Sequence, residues 1–235
     1  MTDKTPLALL PGLLCDDALW QPQVAALSDL ADCRIADFTT QDSIAAMAED
    51  VLAAMPPRFA LAGLSMGGYV ALEVFARAPE RVERLALLDT RFQVDDAETT
   101  SRRRGLIELA EKGQFKGVTP RLLPLFLHQD RLDDAELTGT VIAMAQHVGK
   151  AAFIRQQRAI MERRDHSATL VKIQVPTLVL CGREDALTPL ADHKAMAAGI
   201  AGARLVVVED CGHLATLERP EQVNEALRTW LQRDD

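Results

Sequence analysis

Fourteen consecutive residues, Phe59 to Leu72, carry no charged side chain. A membrane-spanning helix needs about 20 mostly apolar residues, and Gly63, Ser65, Gly67 and Gly68 interrupt this stretch. It is therefore expected inside a water-soluble core. Phe59 to Leu64 reads as a strand buried on both faces, and Met66 to Arg77 reads as a helix closed by Pro79. The same alternation recurs along the chain. Leu7 to Leu10, Val82 to Leu88, Pro176 to Cys181 and Ala203 to Val208 are strand candidates, with Arg34 to Phe38 a weaker one. Ile44, Met47, Ala48, Val51, Leu52 and Met55 follow helical spacing up to Pro56-Pro57. Pro189 to Ala198 forms another helix, with Thr188 as its expected N-cap. A last helix from Pro220 carries Val223, Ala226, Leu227, Trp230 and Leu231 on one face. Nearly continuous apolar strands alternating with helices describe a parallel sheet covered on both sides. Ligands of such sheets bind beyond the carboxyl ends of the strands, so candidate functional residues are sought there.

Residues 93–165 depart from the alternation. They contain helical patterns, including Arg102–Lys112 and Phe153–Arg164, and no strong strand, which describes a mainly helical insertion. A chain of 235 residues accommodates one domain plus such an insertion. The basic run Arg102-Arg103-Arg104 reads as a solvated helix face. The formal charge of −8 disfavours nucleic-acid backbones and anionic membrane surfaces. Met-Thr-Asp-Lys-Thr-Pro lacks the shape of a secretory leader, and a cytoplasmic location is expected. Cys15, Cys33, Cys181 and Cys211 are then expected to be reduced, and their spacing suggests neither a zinc site nor a redox pair.

The chemistry gathers at predicted strand ends. Gly63-Leu64-Ser65-Met66-Gly67 is a G-x-S-x-G pattern between a strand and a helix. Such a turn strains the serine backbone and lifts its hydroxyl above the sheet edge. A serine hydroxyl needs a base. Of His128, His147, His166, His193 and His213, only His213 directly follows a sheet strand, so the other four read as ordinary surface histidines. The base needs an orienting carboxylate. Asp185, four residues past a strand, is preferred; Glu184 is its neighbour, and Asp89 also ends a strand, so position alone does not exclude it. The Met66 N–H and, after the first strand, the Leu13 N–H are the candidate oxyanion donors.

The order Ser65, Asp185, His213 resembles the triad of the α/β-hydrolase superfamily. The resemblance runs from about Leu7 to the last helix. It is carried by Gly63-Leu64-Ser65-Met66-Gly67-Gly68, Gly182-Arg183-Glu184-Asp185, Gly212-His213 and Glu218-Arg219-Pro220-Glu221. It implies a mostly parallel sheet flanked by helices, with residues 1–92 and 166–235 as the core and 93–165 as a helical cap. The usual first two strands are missing, which leaves about six. Pro11-Gly12 stands where relatives often have His-Gly, which weakens the side-chain support of the oxyanion loop.

The resemblance implies hydrolysis of a small or medium carboxylic ester through an acyl-enzyme, with no metal or organic cofactor. A lactone, an enol-lactone or a carbon–carbon bond could be cleaved by the same residues, and a non-catalytic receptor would be a different use of the fold. The apolar residues Leu122, Leu123, Leu125, Phe126, Leu127, Phe153 and Ile154 either line the acyl site or pack the cap on the sheet. Arg155 and Arg158, three apart on a cap helix, are candidates for holding a substrate carboxylate. The oligomeric state is not legible.

Overall fold

A computed structural model of the chain describes residues 4–233. Met1–Asp3, part of the N-terminal segment considered above, lie outside the described residues, as do Asp234 and Asp235. Six parallel strands form one sheet: β1 (Thr5–Leu10), β2 (Ala31–Ile35), β3 (Phe59–Leu64), β4 (Val82–Leu88), β5 (Thr177–Gly182) and β6 (Arg204–Val208). Their spatial order is β2-β1-β3-β4-β5-β6. The chain winds outward from β1 to β2, then returns past β1 to β3. The β1/β3 boundary is thus the topological switch point, where a crevice opens at the carboxyl ends. In register, Leu10 of β1 lies beside Gly63 of β3.

Every strand but the edge strand β2 serves two cores because its side chains alternate. Leu7 and Leu9 join one apolar cluster, with Leu27 of α1 (Gln21–Leu27) and Val223 and Leu227 of α9 (Pro220–Gln232). Ala8 and Leu10 join the other, with Met47 of α2 (Ile44–Ala54), Val70 and Val74 of α3 (Met66–Arg77) and Met196 of α7 (Leu190–Gly199). All six residues of β3 are buried, as a strand covered on both faces requires.

Between β4 and β5 the chain forms α4 (Ala97–Leu109), short turns over 110–131, and α5 (Ala135–Met161), then the single-turn α6 (Ser167–Leu170). Asp96 and Asp134 cap α4 and α5 through the backbone N–H groups of Thr99 and Leu137. α5 is far longer than the expected Phe153–Arg164 segment. Its apolar face runs from Leu137 through Val141, Met144 and Val148 to Ile160, across a kink at Gly149 (φ 75°). The glycine hides this continuity in the sequence. β2 also shifts from the expected Arg34–Phe38 to Ala31–Ile35. α8 (Ala215–Glu218) is one turn that leads into α9. Among the described residues, no helix is long and apolar enough to cross a membrane.

Candidate active site

Ser65 lies between β3 and α3 with φ 54° and ψ −115°. A non-glycine residue there carries strain of about 1–3 kcal/mol, so its neighbours must hold it. The Ser65 N–H donates to Leu88 O at 3.0 Å, and the Thr90 hydroxyl donates to Ser65 O at 2.7 Å. Close approach of strand and helix requires glycine on both sides. A Cβ on Gly63 would stand 2.2 Å from Gly67 O, and one on Gly67 would stand 2.1 Å from Leu10 O.

His213 Nε2 is 2.9 Å from Ser65 Oγ, and His213 Nδ1 is 2.8 Å from Asp185 Oδ2. A carboxylate only accepts, so Nδ1 carries the proton and Nε2 offers its lone pair to the serine hydroxyl. Asp185 is buried and fully engaged. Its Oδ1 accepts from Leu187 N–H at 2.8 Å and Thr188 N–H at 2.9 Å, while Oδ2 also accepts from the Thr188 hydroxyl. Burial disfavours its charge, but His213 and these donors outweigh burial and hold the carboxyl below the ordinary range. Thr188 is therefore not the N-cap of α7, as expected from the sequence. Pro189 occupies that position, and the Thr188 side chain turns to Asp185.

The loop carrying His213 is fixed from below. Glu218 Oε1 accepts from Gly212 N–H at 2.9 Å and Oε2 from His128 N–H at 2.7 Å, while His213 N–H donates to Phe126 O at 2.9 Å. Burial raises the Glu218 carboxyl pKa.

Leu13 occupies the second position of a turn closed by Cys15 N–H on Gly12 O at 3.2 Å. The next residue, Leu14, has φ 59°, a left-handed conformation unusual for leucine. Gln156 of α5 secures it: Oε1 accepts from Leu14 N–H at 3.1 Å, and Nε2 donates to Phe38 O at 3.0 Å. This buried side chain supports the loop at a place where Pro11 provides no N–H. Met66 is the first residue of α3, so its N–H belongs to the unpaired donors of a helix N-terminus, where an anion is favoured.

Asp89 is also buried, close enough to feel the charge of Asp185, while His213 Nδ1 bonds Asp185 instead. Its Oδ1 accepts from Gly182 N–H at 2.8 Å, and its Oδ2 is buried without a partner. Burial, with the charge of Asp185, pushes its pKa well above the ordinary value. Glu184 turns the other way and accepts from Cys211 N–H at 3.1 Å.

Two histidines expected at the surface are instead buried. His193 Nε2 accepts from Thr90 N–H at 2.9 Å beside the elbow. His166 packs against Glu73 and Thr169.

A cavity of about 770 Å³ opens over the site and is bordered by Gly12, Leu13, Ser65 and His213. Arg155 and Arg158 do not border it. Arg155 donates to Thr39 O through Nε at 3.2 Å and also through Nη2, and Arg158 pairs with Glu111 at 2.8 Å at the surface. Neither guanidinium, expected from the sequence to hold a substrate carboxylate, is placed at the cavity. The basic run is also only partly a solvated face, because Arg102 and Arg103 border the cavity.

Sequence reasoning missed Thr188, Gln156 and Glu218 as supports of the site. Gln156 had a signal, since it lies at helical spacing among Ala152, Phe153, Ala159 and Ile160, a polar residue on an apolar face.

A parallel sheet with a strained serine at its switch point, and a histidine and aspartate on neighbouring strand ends, has the architecture of an α/β hydrolase. The model of the alpha/beta hydrolase family matches residues 8–226, and the chain belongs to that family. The chain is 29% identical over 255 residues to a protein of Agrobacterium fabrum provisionally named carbamate hydrolase RutD, covering 97% of this chain and 94% of the relative. Two solved structures are similar throughout. One is a thermophilic esterase from Thermogutta terrifontis with malate bound (28% identity, TM-score 0.87, 97% of this chain and 89% of that one). The other is the enol-lactonase from Burkholderia xenovorans LB400 (26% identity, TM-score 0.89, 98% and 92%).

Proposed function

We propose that this hydrolase cleaves a carboxylic ester of a small or medium substrate through an acyl-enzyme. The observation that carries the reading is the continuous relay from Ser65 Oγ through His213 to Asp185, at 2.9 and 2.8 Å. Ser65 attacks the acyl carbon as His213 Nε2 takes its proton. Negative charge grows on the carbonyl oxygen, where the N–H groups of Leu13 and Met66 receive it. His213, now positive and steadied by Asp185, passes the proton to the leaving alcohol. Water then attacks the acyl carbon as His213 takes its proton, and the acid leaves as the acyl–Oγ bond breaks and His213 returns that proton to Ser65 Oγ. Residues 93–165 serve as the cap over residues 1–92 and 166–235, and their apolar side chains shape the acyl site. The four cysteines, all free, suit a reducing cytoplasm.

The relatives named above act, by their names, on ester, enol-lactone and carbamate groups, all of which present a carbonyl to a nucleophile. The test compares p-nitrophenyl esters from acetate to octanoate with wild type and Ser65→Ala. Wild type should turn over, and Ser65→Ala should lose about 10⁴- to 10⁶-fold in kcat. Wild-type turnover that survives Ser65→Ala overturns the reading, as does failure of a fluorophosphonate to label Ser65.

A further inference from the structure

The chain carries 34 acidic and 26 basic residues, so an arginine here, with five donors, should find a partner easily. Nearly every arginine does. Among the described residues, only the side chains of Arg102, Arg104, Arg121 and Arg204, of all the arginines, have neither a hydrogen-bond nor an ion-pair partner. Two of these four, Arg102 and Arg121, border the cavity over Ser65, together with Lys116. Arg91 and Arg103 border it too, but Asp192 and Asp95 neutralise them at 2.8 and 2.6 Å. Asp95 is the only carboxylate along the cavity wall among the described residues, and it is already shared between Arg103 and Arg163. In an acidic protein, this cavity is therefore locally cationic.

The same stretch of chain leaves apolar surface uncovered. Leu106 and Leu109 of α4 and Leu122 and Leu125 of the turn Pro120–Leu125 are 38–46% exposed, and all four border this cavity. Only two other large apolar side chains among the described residues are as exposed. Exposed apolar side chains grouped in one place mark a binding surface. Unpaired cations among them attract an anion, most strongly at low ionic strength. Neither feature stabilises the empty fold.

We propose that Arg102, Lys116 and Arg121 form a subsite for an acidic group on the substrate. The ester would have an apolar body against the exposed leucines and a carboxylate or phosphate at its far end. The inference rests on Ser65 as nucleophile, and it specifies the substrate class as anionic amphiphilic esters.

The experiment compares p-nitrophenyl half-esters of dicarboxylic acids, their methyl-capped neutral counterparts and esters of matched length ending in phosphate. The readout is the ratio of kcat/KM for anionic over neutral ester at low salt. The wild-type ratio should exceed about 10, and Arg102→Gln/Lys116→Gln/Arg121→Gln should lower it by about 10- to 100-fold, the scale of charge-assisted hydrogen bonds. Arg104→Gln, on the same helix but outside the cavity wall, should leave the ratio alone, and 0.5 M salt should reduce it. The larger of the carboxylate and phosphate ratios identifies the group. Equal turnover of anionic and neutral esters overturns the subsite while leaving the esterase reading intact. If no ester is turned over and Ser65 resists labelling, the esterase reading falls, and the subsite is judged by binding. Monomethyl suberate should raise the melting temperature of Ser65→Ala but not that of the same protein lacking the three cations. No shift in either protein overturns the subsite.

Discussion

Gln156→Leu removes the clasp between α5 and the loop 12–15, which carries the proposed oxyanion donor Leu13, and leaves Ser65, His213 and Asp185 untouched. The substitution keeps an apolar filling but orphans the Leu14 N–H and the Phe38 carbonyl, bonded in the native fold at 3.1 and 3.0 Å. Each buried group left unpaired costs about 1–3 kcal/mol. Leu14 also relies on its bond to stay at φ 59°. Partial relaxation and the extra apolar contact offset some of this, which leaves a net loss of about 2–4 kcal/mol. At about 2–4 °C per kcal/mol for a chain of this size, the melting temperature should fall by roughly 5–15 °C. The catalytic consequence is separable. Met66 still donates, but the Leu13 N–H loses its fixed direction. Losing one oxyanion donor outright costs about 10²- to 10³-fold in kcat, so a loosened donor should cost about 10- to 100-fold with KM nearly constant. Gln156→Glu keeps the acceptor for Leu14 and loses the amide donor to Phe38, and should fall between the two. The assay is kcat and KM on the best p-nitrophenyl ester at a temperature where circular dichroism shows each variant folded. A folded Gln156→Leu with undiminished kcat would refute the argument, because the loop would then hold its shape without this side chain.

Three further tests concern carboxyls packed inside the fold. Asp185→Asn should lower kcat by about 10⁴-fold, because an amide no longer enforces the Nδ1–H tautomer. Asp89→Asn should stay within about 10-fold of wild type; matched losses in the two variants would instead give both carboxyls the orienting role. The raised pKa of Asp89 adds a stability test. A raised pKa contributes stability below the unfolded value that disappears as pH rises through the folded one. The melting temperature of Asp89→Asn should therefore gain on wild type as pH increases, and a constant difference would contradict a protonated Asp89. Asp95 behaves oppositely. Burial opposes its charge, yet Arg163 and Arg103 bring its pKa below the ordinary value. Its contribution is complete above the usual carboxylate range near 4 and is lost as pH falls through its folded pKa. Asp95→Asn should be less stable than wild type at pH 7 and converge with it in acid; parallel melting curves against pH would remove Asp95 as a source of the acid limb.

What the sequence made legible divides along a physical line. β3 was readable because burial on both faces removes polar residues, and the Ser65 elbow because close approach demands glycine at 63 and 67. Both constraints act on a residue through its immediate chain neighbours. Roles that depend on a distant partner were not readable in that way. Thr188 looked like a helix cap because its spacing to Pro189 suits one, but its hydroxyl is taken by Asp185. Asp89 and Asp185 both follow strands, and only the orientation of His213 separates them. Arg155 and Arg158 show the same limit within one helix. A spacing of three places two side chains on one face but does not say which face meets the cavity. The face is set by the register of all of α5, where Leu137, Val141, Met144, Val148, Ala152 and Ile160 turn inward. That register turns Gln156 inward too, and carries Arg155 to the carbonyl of Thr39 and Arg158 to Glu111. Arg102 and Arg121 border the cavity from the shorter elements instead, where no long period announces them. The acidic substrate group we propose would therefore meet cations of α4 and of the turns over 110–131, rather than those of α5.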